Sequence, residues 1–83
     1  METKNYLLLA RSGDGFMHEK VNLFCDLHFA KLTVRMMMKA SPRLTRGEII
    51  EGNRTHTGDF RNKPLVFIYR DGEDVFTEET EWR

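Results

Sequence analysis

The sequence predicts a small α+β domain: an antiparallel sheet of an N-terminal strand, a short middle strand and a C-terminal hairpin, with one helix packed on a face. Three observations carry this. Two β-prone runs are divided by Asp71-Gly72; the stretch from Phe16 to Ala40 holds neither Gly nor Pro; and Tyr6-Leu7-Leu8-Leu9 is an unbroken apolar run near the start. At 83 residues the chain is expected to be one domain, residues 1–83, with material for a single modest core.

Asn5 to Arg11 reads as a strand, its continuous apolar centre suited to cover on both faces. Ser12-Gly13-Asp14-Gly15 then breaks it as a turn. A glycine-rich loop after a strand invites a phosphate-binding reading, but no Gly-Lys-Ser/Thr ending follows, so a plain turn is preferred.

Between Phe16 and Ala40, residues placed at helical intervals fall into two apolar stripes. One holds Leu23, Leu27, Ala30, Val34, Met37 and Met38; the other holds Val21, Cys25, Phe29, Leu32 and Met36. Val21, Leu23, Cys25, Leu27 and Phe29 also alternate as a strand would, so Val21 to Phe24 stays open between the two. The later part, rich in Met, Lys, Arg and Ala, is assigned to helix. Pro42 ends it, since the residue before a proline avoids the α region.

A short strand centred on Glu48-Ile49-Ile50 follows, and then a polar loop from Asn53 to Lys63. The final hairpin is read as a two-residue type I′ turn at Asp71-Gly72. That register sets Arg70 opposite Glu73, Ile68 opposite Val75 and Phe67 opposite Phe76. Phe67, Tyr69 and Phe76 would then share one face.

The formal net charge is zero, which argues against a dedicated polyanion binder. The signs are unevenly spread, with nine Lys and Arg against five Asp and Glu in His18–Lys63, and two against six in Pro64–Arg83. Cys25 is the only cysteine, so neither an intrachain disulfide nor a thiolate metal site is expected. The N-terminal apolar run is too short for a signal-peptide core, and a reduced, cytoplasmic setting without a membrane span is expected.

Chemical constellations are sparse. His18, His28 and His56 form no close ligand pair, and no metal or cofactor is expected. Cys25 and His28 would be an i,i+3 pair on a helix, but Cys25 lies on an apolar stripe where thiols are usually inert. Glu48, Glu51, His56 and Arg61 contain the residue types of a small ribonuclease without a distinctive spacing. Catalysis is therefore not expected.

His28, Lys31, Arg35 and Lys39 make a basic helical ridge, and Arg54, Arg61 and Lys63 follow in the loop. Together they could neutralise phosphates, which makes a nucleic-acid-binding domain the second reading. Pairing of the ridge with the acidic hairpin accounts better for the zero net charge.

The surplus of apolar faces points to protein binding. One helix cannot cover both hairpin faces, nor one sheet face both helix stripes. Phe29, Leu32 and Met36 on the helix, with Phe67, Tyr69 and Phe76 on the hairpin, are the expected partner-binding residues, because Met and aromatic side chains are favoured at interfaces. The first reading is thus a small interaction module binding a protein partner or a second copy. Regulators, inhibitors and adaptors, including those borne by phages or mobile elements, are often domains of this kind. No motif is specific enough to name a family.

Overall fold

The computed structural model describes residues 2–52 and 64–80, and these form the expected α+β fold. Its elements are strands β1 (Thr3–Ser12) and β2 (Met17–Asp26), helix α1 (Leu27–Ala40), and strands β3 (Leu44–Glu51), β4 (Pro64–Arg70) and β5 (Phe76–Thr80). The strands make one antiparallel sheet in the order β2-β1-β3-β4-β5. Both β2 and β3 run antiparallel to β1, so they are parallel to each other. With α1 between them they form a split β-α-β unit around β1.

The apolar run of β1 occupies the middle of the sheet, as a strand covered on both faces should. Its even positions Tyr6, Leu8 and Ala10 join the core beneath α1, with Ala30, Val34, Met38, Ile49, Val66 and Ile68. Leu7 and Leu9 point the other way and form a second buried cluster with Ile50. The turn after β1 closes as expected, with Ser12 N–H donating to the Phe16 carbonyl (3.0 Å) and Gly15 N–H to the Ser12 carbonyl (2.9 Å).

Met17 to Asp26 is a full strand, which resolves the open stretch and adds a fifth strand to the four expected. Asp26 decides where strand becomes helix. Its carboxylate accepts from the Phe29 N–H at 2.8 Å, which satisfies one of the donors left unpaired in a first helical turn. Val21, Leu23 and Cys25 then alternate onto the core side of β2 and do not continue a helical stripe.

The hairpin register also differs from the expectation. Arg70 pairs with Phe76 and Ile68 with Glu78, across a five-residue loop from Asp71 to Val75. A type I′ turn needs positive φ at both central residues, whereas here it falls on Gly72 and Asp74. Phe76 is thereby moved to the α1 side, where it packs against the core, while Val75 is left exposed in the loop. Phe67 and Tyr69 stay on the opposite face and stack on each other, 6.1 Å between ring centroids.

Candidate functional site

The outward stripe of α1 is the feature that internal packing leaves unused. Ala30, Val34 and Met38 are buried against the sheet, with Leu27 and Met37 packed beside them. Phe29, Leu32 and Met36 point away from it, 52%, 42% and 69% exposed. Their i, i+3, i+7 spacing makes one ridge. These three expected partner-binding residues are therefore brought together on the surface. Cys25 and Val21, read into the same stripe, belong instead to β2 and face the core.

Strand β2, which leads into α1, lies at the edge of the sheet. Among the described residues it pairs only with β1, so half of its backbone donors and acceptors point away from the sheet. Phe24 stands on its far face, 67% exposed, and Phe16 and Met17 are exposed at the turn end. Phe24 was not among the residues expected from sequence. The alternation of 21–29 was the signal that could have placed it.

The other three expected residues divide. Phe67 and Tyr69 are half-buried on the face opposite α1, with the Tyr69 hydroxyl 3.4 Å from Glu79. Phe76 is separated from them on the helix side, where the Arg70 guanidinium lies over its ring at 5.2 Å.

Two members of the basic ridge share one carboxylate of the hairpin. Glu78 of β5 lies between Lys31, at 3.1 Å, and Arg35, whose Nη2 donates to its other carboxylate oxygen. His28 and Lys39 are exposed on the same helix. Arg54, Arg61 and Lys63 lie outside the described residues, as does His56.

Glu48 sits on the face opposite α1, 5% exposed, and is spanned by two arginines. Arg11 Nε donates to it at 3.0 Å and Arg46 Nη2 lies 2.9 Å from the same oxygen. Arg11 also donates from Nη1 to the Gly15 carbonyl at 3.1 Å. A carboxylate so engaged is a structural crosslink between β1 and β3, and the Glu48 of the ribonuclease set is occupied by these pairs. Glu51 of the same set pairs with Lys4 at 3.3 Å.

Burial pushes the Cys25 thiol pKa up, and the neighbouring Asp26 charge adds to this. Cys25 is in a strand and His28 in a helix, so the i,i+3 helical pair does not form. An open depression of about 390 Å³ near the start of α1 is lined by Lys4, Tyr6, Asp26, His28 and Glu51 among others. Its Lys4 is already paired with Glu2 and Glu51.

Among the described residues, no group of three or more His, Cys, Asp and Glu is placed to hold a metal ion, and no helix is long and apolar enough to cross a membrane. The chain matches no protein-family model, no curated protein and no solved structure.

Proposed function

We propose that this chain is a protein-binding module whose contact surface is the outward stripe of α1 together with the edge strand β2. One observation carries the reading. Among the described residues, five of the seven exposed large apolar side chains (Met17, Phe24, Phe29, Leu32 and Met36) fall within the β2–α1 segment; Phe16 immediately precedes it and Val75 lies elsewhere. Isolated exposed apolar residues are ordinary, whereas Phe29, Leu32 and Met36 form one apolar ridge, and Phe24 adds a second exposed ring on the opposite face of the sheet, on edge strand β2. Met and Phe suit such a surface, since Met adapts its shape and an aromatic ring buries a large area. Binding without chemistry is the mode of action of a regulator, inhibitor or adaptor. The pairing of Lys31 and Arg35 with Glu78 weighs against a nucleic-acid surface on the helix ridge.

Photo-crosslinking tests this reading. A benzoylphenylalanine placed at Phe24, Phe29 or Met36 in the full chain, in its native host cells, is expected to give a discrete protein adduct. The same group at Thr77, on β5, is the control. Adducts from the first three positions alone support the surface; adducts from none of them, or equally from Thr77, overturn it.

A further inference from the structure

We infer that β2 pairs antiparallel with β2 of a second copy, about a two-fold axis through Asn22, to make a continuous ten-stranded sheet. This rests on the protein-binding reading above and names the partner of its β2 edge.

The two edges of the sheet are unequal. β5 is five residues long and carries Glu78 and Glu79, so a copy of itself would meet like charge along the ladder. β2 is ten residues long, and its pairing with β1 runs without a bulge from Glu19 to Asp26. That stretch contains no Pro or Gly, and Val21 to Cys25 carries no charge. Its guards lie at the turn end, where Glu19 and Lys20 are charged and the ladder with β1 slips next to Met17, and they leave Val21 to Cys25 open.

The side chains of β2 then select the register. A two-fold axis perpendicular to the sheet keeps both helices on one side, so core-side positions must face core-side positions. With Asn22 on the axis, Val21 faces Leu23 of the second copy on the helix side, and Lys20 faces its Phe24 on the far side. Both pairs occur twice. Val21 and Leu23 are only partly buried in one copy, and this contact closes the flank of the core they line. The ammonium of Lys20 against an exposed aromatic ring is an attractive pair. Asn22 meets itself, and a carboxamide carries both a donor and an acceptor, so the pair is self-complementary. In this register Glu19 reaches only Cys25 at the margin of the core, and His18 faces Asp26. Moving the axis to Val21 brings Glu19 inward, opposite Leu23, and moving it to Leu23 sets Asn22 opposite Phe24 and takes Lys20 away from the ring.

Light scattering after size exclusion, across micromolar to millimolar chain, should give twice the 9.8 kDa chain mass. Phe24→Lys sets lysine against lysine at an exposed site and should weaken association by about tenfold or more. Adding Lys20→Glu to it turns both contacts into opposite-charge pairs and should restore the dimer. In a Cys25→Ser background, Asn22→Cys should form an intermolecular disulfide under mild oxidation, and Leu23→Cys should not. A wild-type mass of one chain at every concentration overturns the second copy as partner, while the crosslinks from Phe24, Phe29 and Met36 separately decide the protein-binding surface. A dimer indifferent to Phe24→Lys, or one crosslinked through Leu23→Cys alone, overturns this edge and register.

Discussion

Val34 Cγ1 lies 2.2 Å from where a Cβ on Gly47 would stand, so α1 rests directly on the backbone of β3. Met38 Sδ lies 3.3 Å from the same point. Glycine is required at this position by the closeness of helix and sheet, since both neighbours are buried and have little room to move. Gly47→Ala is expected to destabilise the chain by about 1–3 kcal/mol, the usual range for an overpacked core. Val34→Ala should lose packing alone yet relieve part of the Gly47→Ala cost. Urea unfolding of the two single variants and the double variant measures the coupling. Additivity within about 0.5 kcal/mol would mean that the contact does not govern the spacing.

How far the sequence discloses this fold depends on the element. Tyr6 to Leu9 is legible because a run apolar on both sides fits only the middle of a sheet. The helix from Leu27 is legible through its stripes, and the exposure of Phe29, Leu32 and Met36 follows from there being one sheet face for two stripes. β2 is obscured because Val21, Cys25 and Phe29 satisfy a period of four as well as a period of two. The deciding residue is Asp26, a lone N-cap without a capping-box Glu behind it. Phe76 is misplaced because Asp71-Gly72 does not form the two-residue turn that its composition favours. The Arg11–Glu48 pair spans 37 residues and exists only once the β1–β3 register is known.

Arg70 ties the end of α1 to the hairpin. Its Nε donates to the Leu44 carbonyl at 2.9 Å, and its Nη2 donates to the carbonyls of Met38 and Ser41. A guanidinium is suited to this, because a helix C-terminus presents unpaired carbonyls and the negative end of its dipole. Arg70→Met keeps an unbranched apolar stem but removes the donors and the guanidinium over Phe76, and should cost about 1.5–3 kcal/mol. Arg70→Lys should recover little, since one ammonium cannot reach three carbonyls in a fixed fork. Glu73, the partner expected from sequence, is exposed in the loop, and Glu73→Ala should stay within about 0.5 kcal/mol of wild type. Hydrogen exchange at the last turn of α1 provides the local check.

Glu48 and its two arginines are unequal in burial, which predicts unequal costs. The Glu48 side chain is 7% exposed, against 28% for Arg11 and 40% for Arg46. Removing both arginines as Arg11→Ala with Arg46→Ala strands a buried carboxylate, and should cost about 3–5 kcal/mol. Glu48→Gln leaves two arginines that reach water and keeps an acceptor oxygen for them, so its cost should be clearly smaller. Denaturant midpoints give the order. The opposite order would mean that the arginines contribute packing and the carboxylate is readily hydrated.

Stability should fall on the alkaline side, because several groups shift the same way. Burial raises the pKa of Tyr6, Cys25 and Tyr69, which favours their neutral forms in the fold. A hydrogen bond to Glu51 raises that of Lys4, favouring its charged form. In each case the folded value lies above the unfolded one. The stabilisation is therefore complete below the unfolded value and is lost as pH rises through the folded one. Asp14 acts in the other sense: the Ser12 hydroxyl and the Phe16 N–H lower its pKa, and what it adds disappears as pH falls below the ordinary carboxylate range. Urea midpoints should thus fall between about pH 8 and pH 11, where unfolded Cys, Tyr and Lys titrate. The same reasoning makes iodoacetamide modify Cys25 more slowly in the native chain than in urea at neutral pH, because the thiolate is the reacting form. Native labelling as fast as unfolded would show that Cys25 is not held in the apolar flank between β2 and α1.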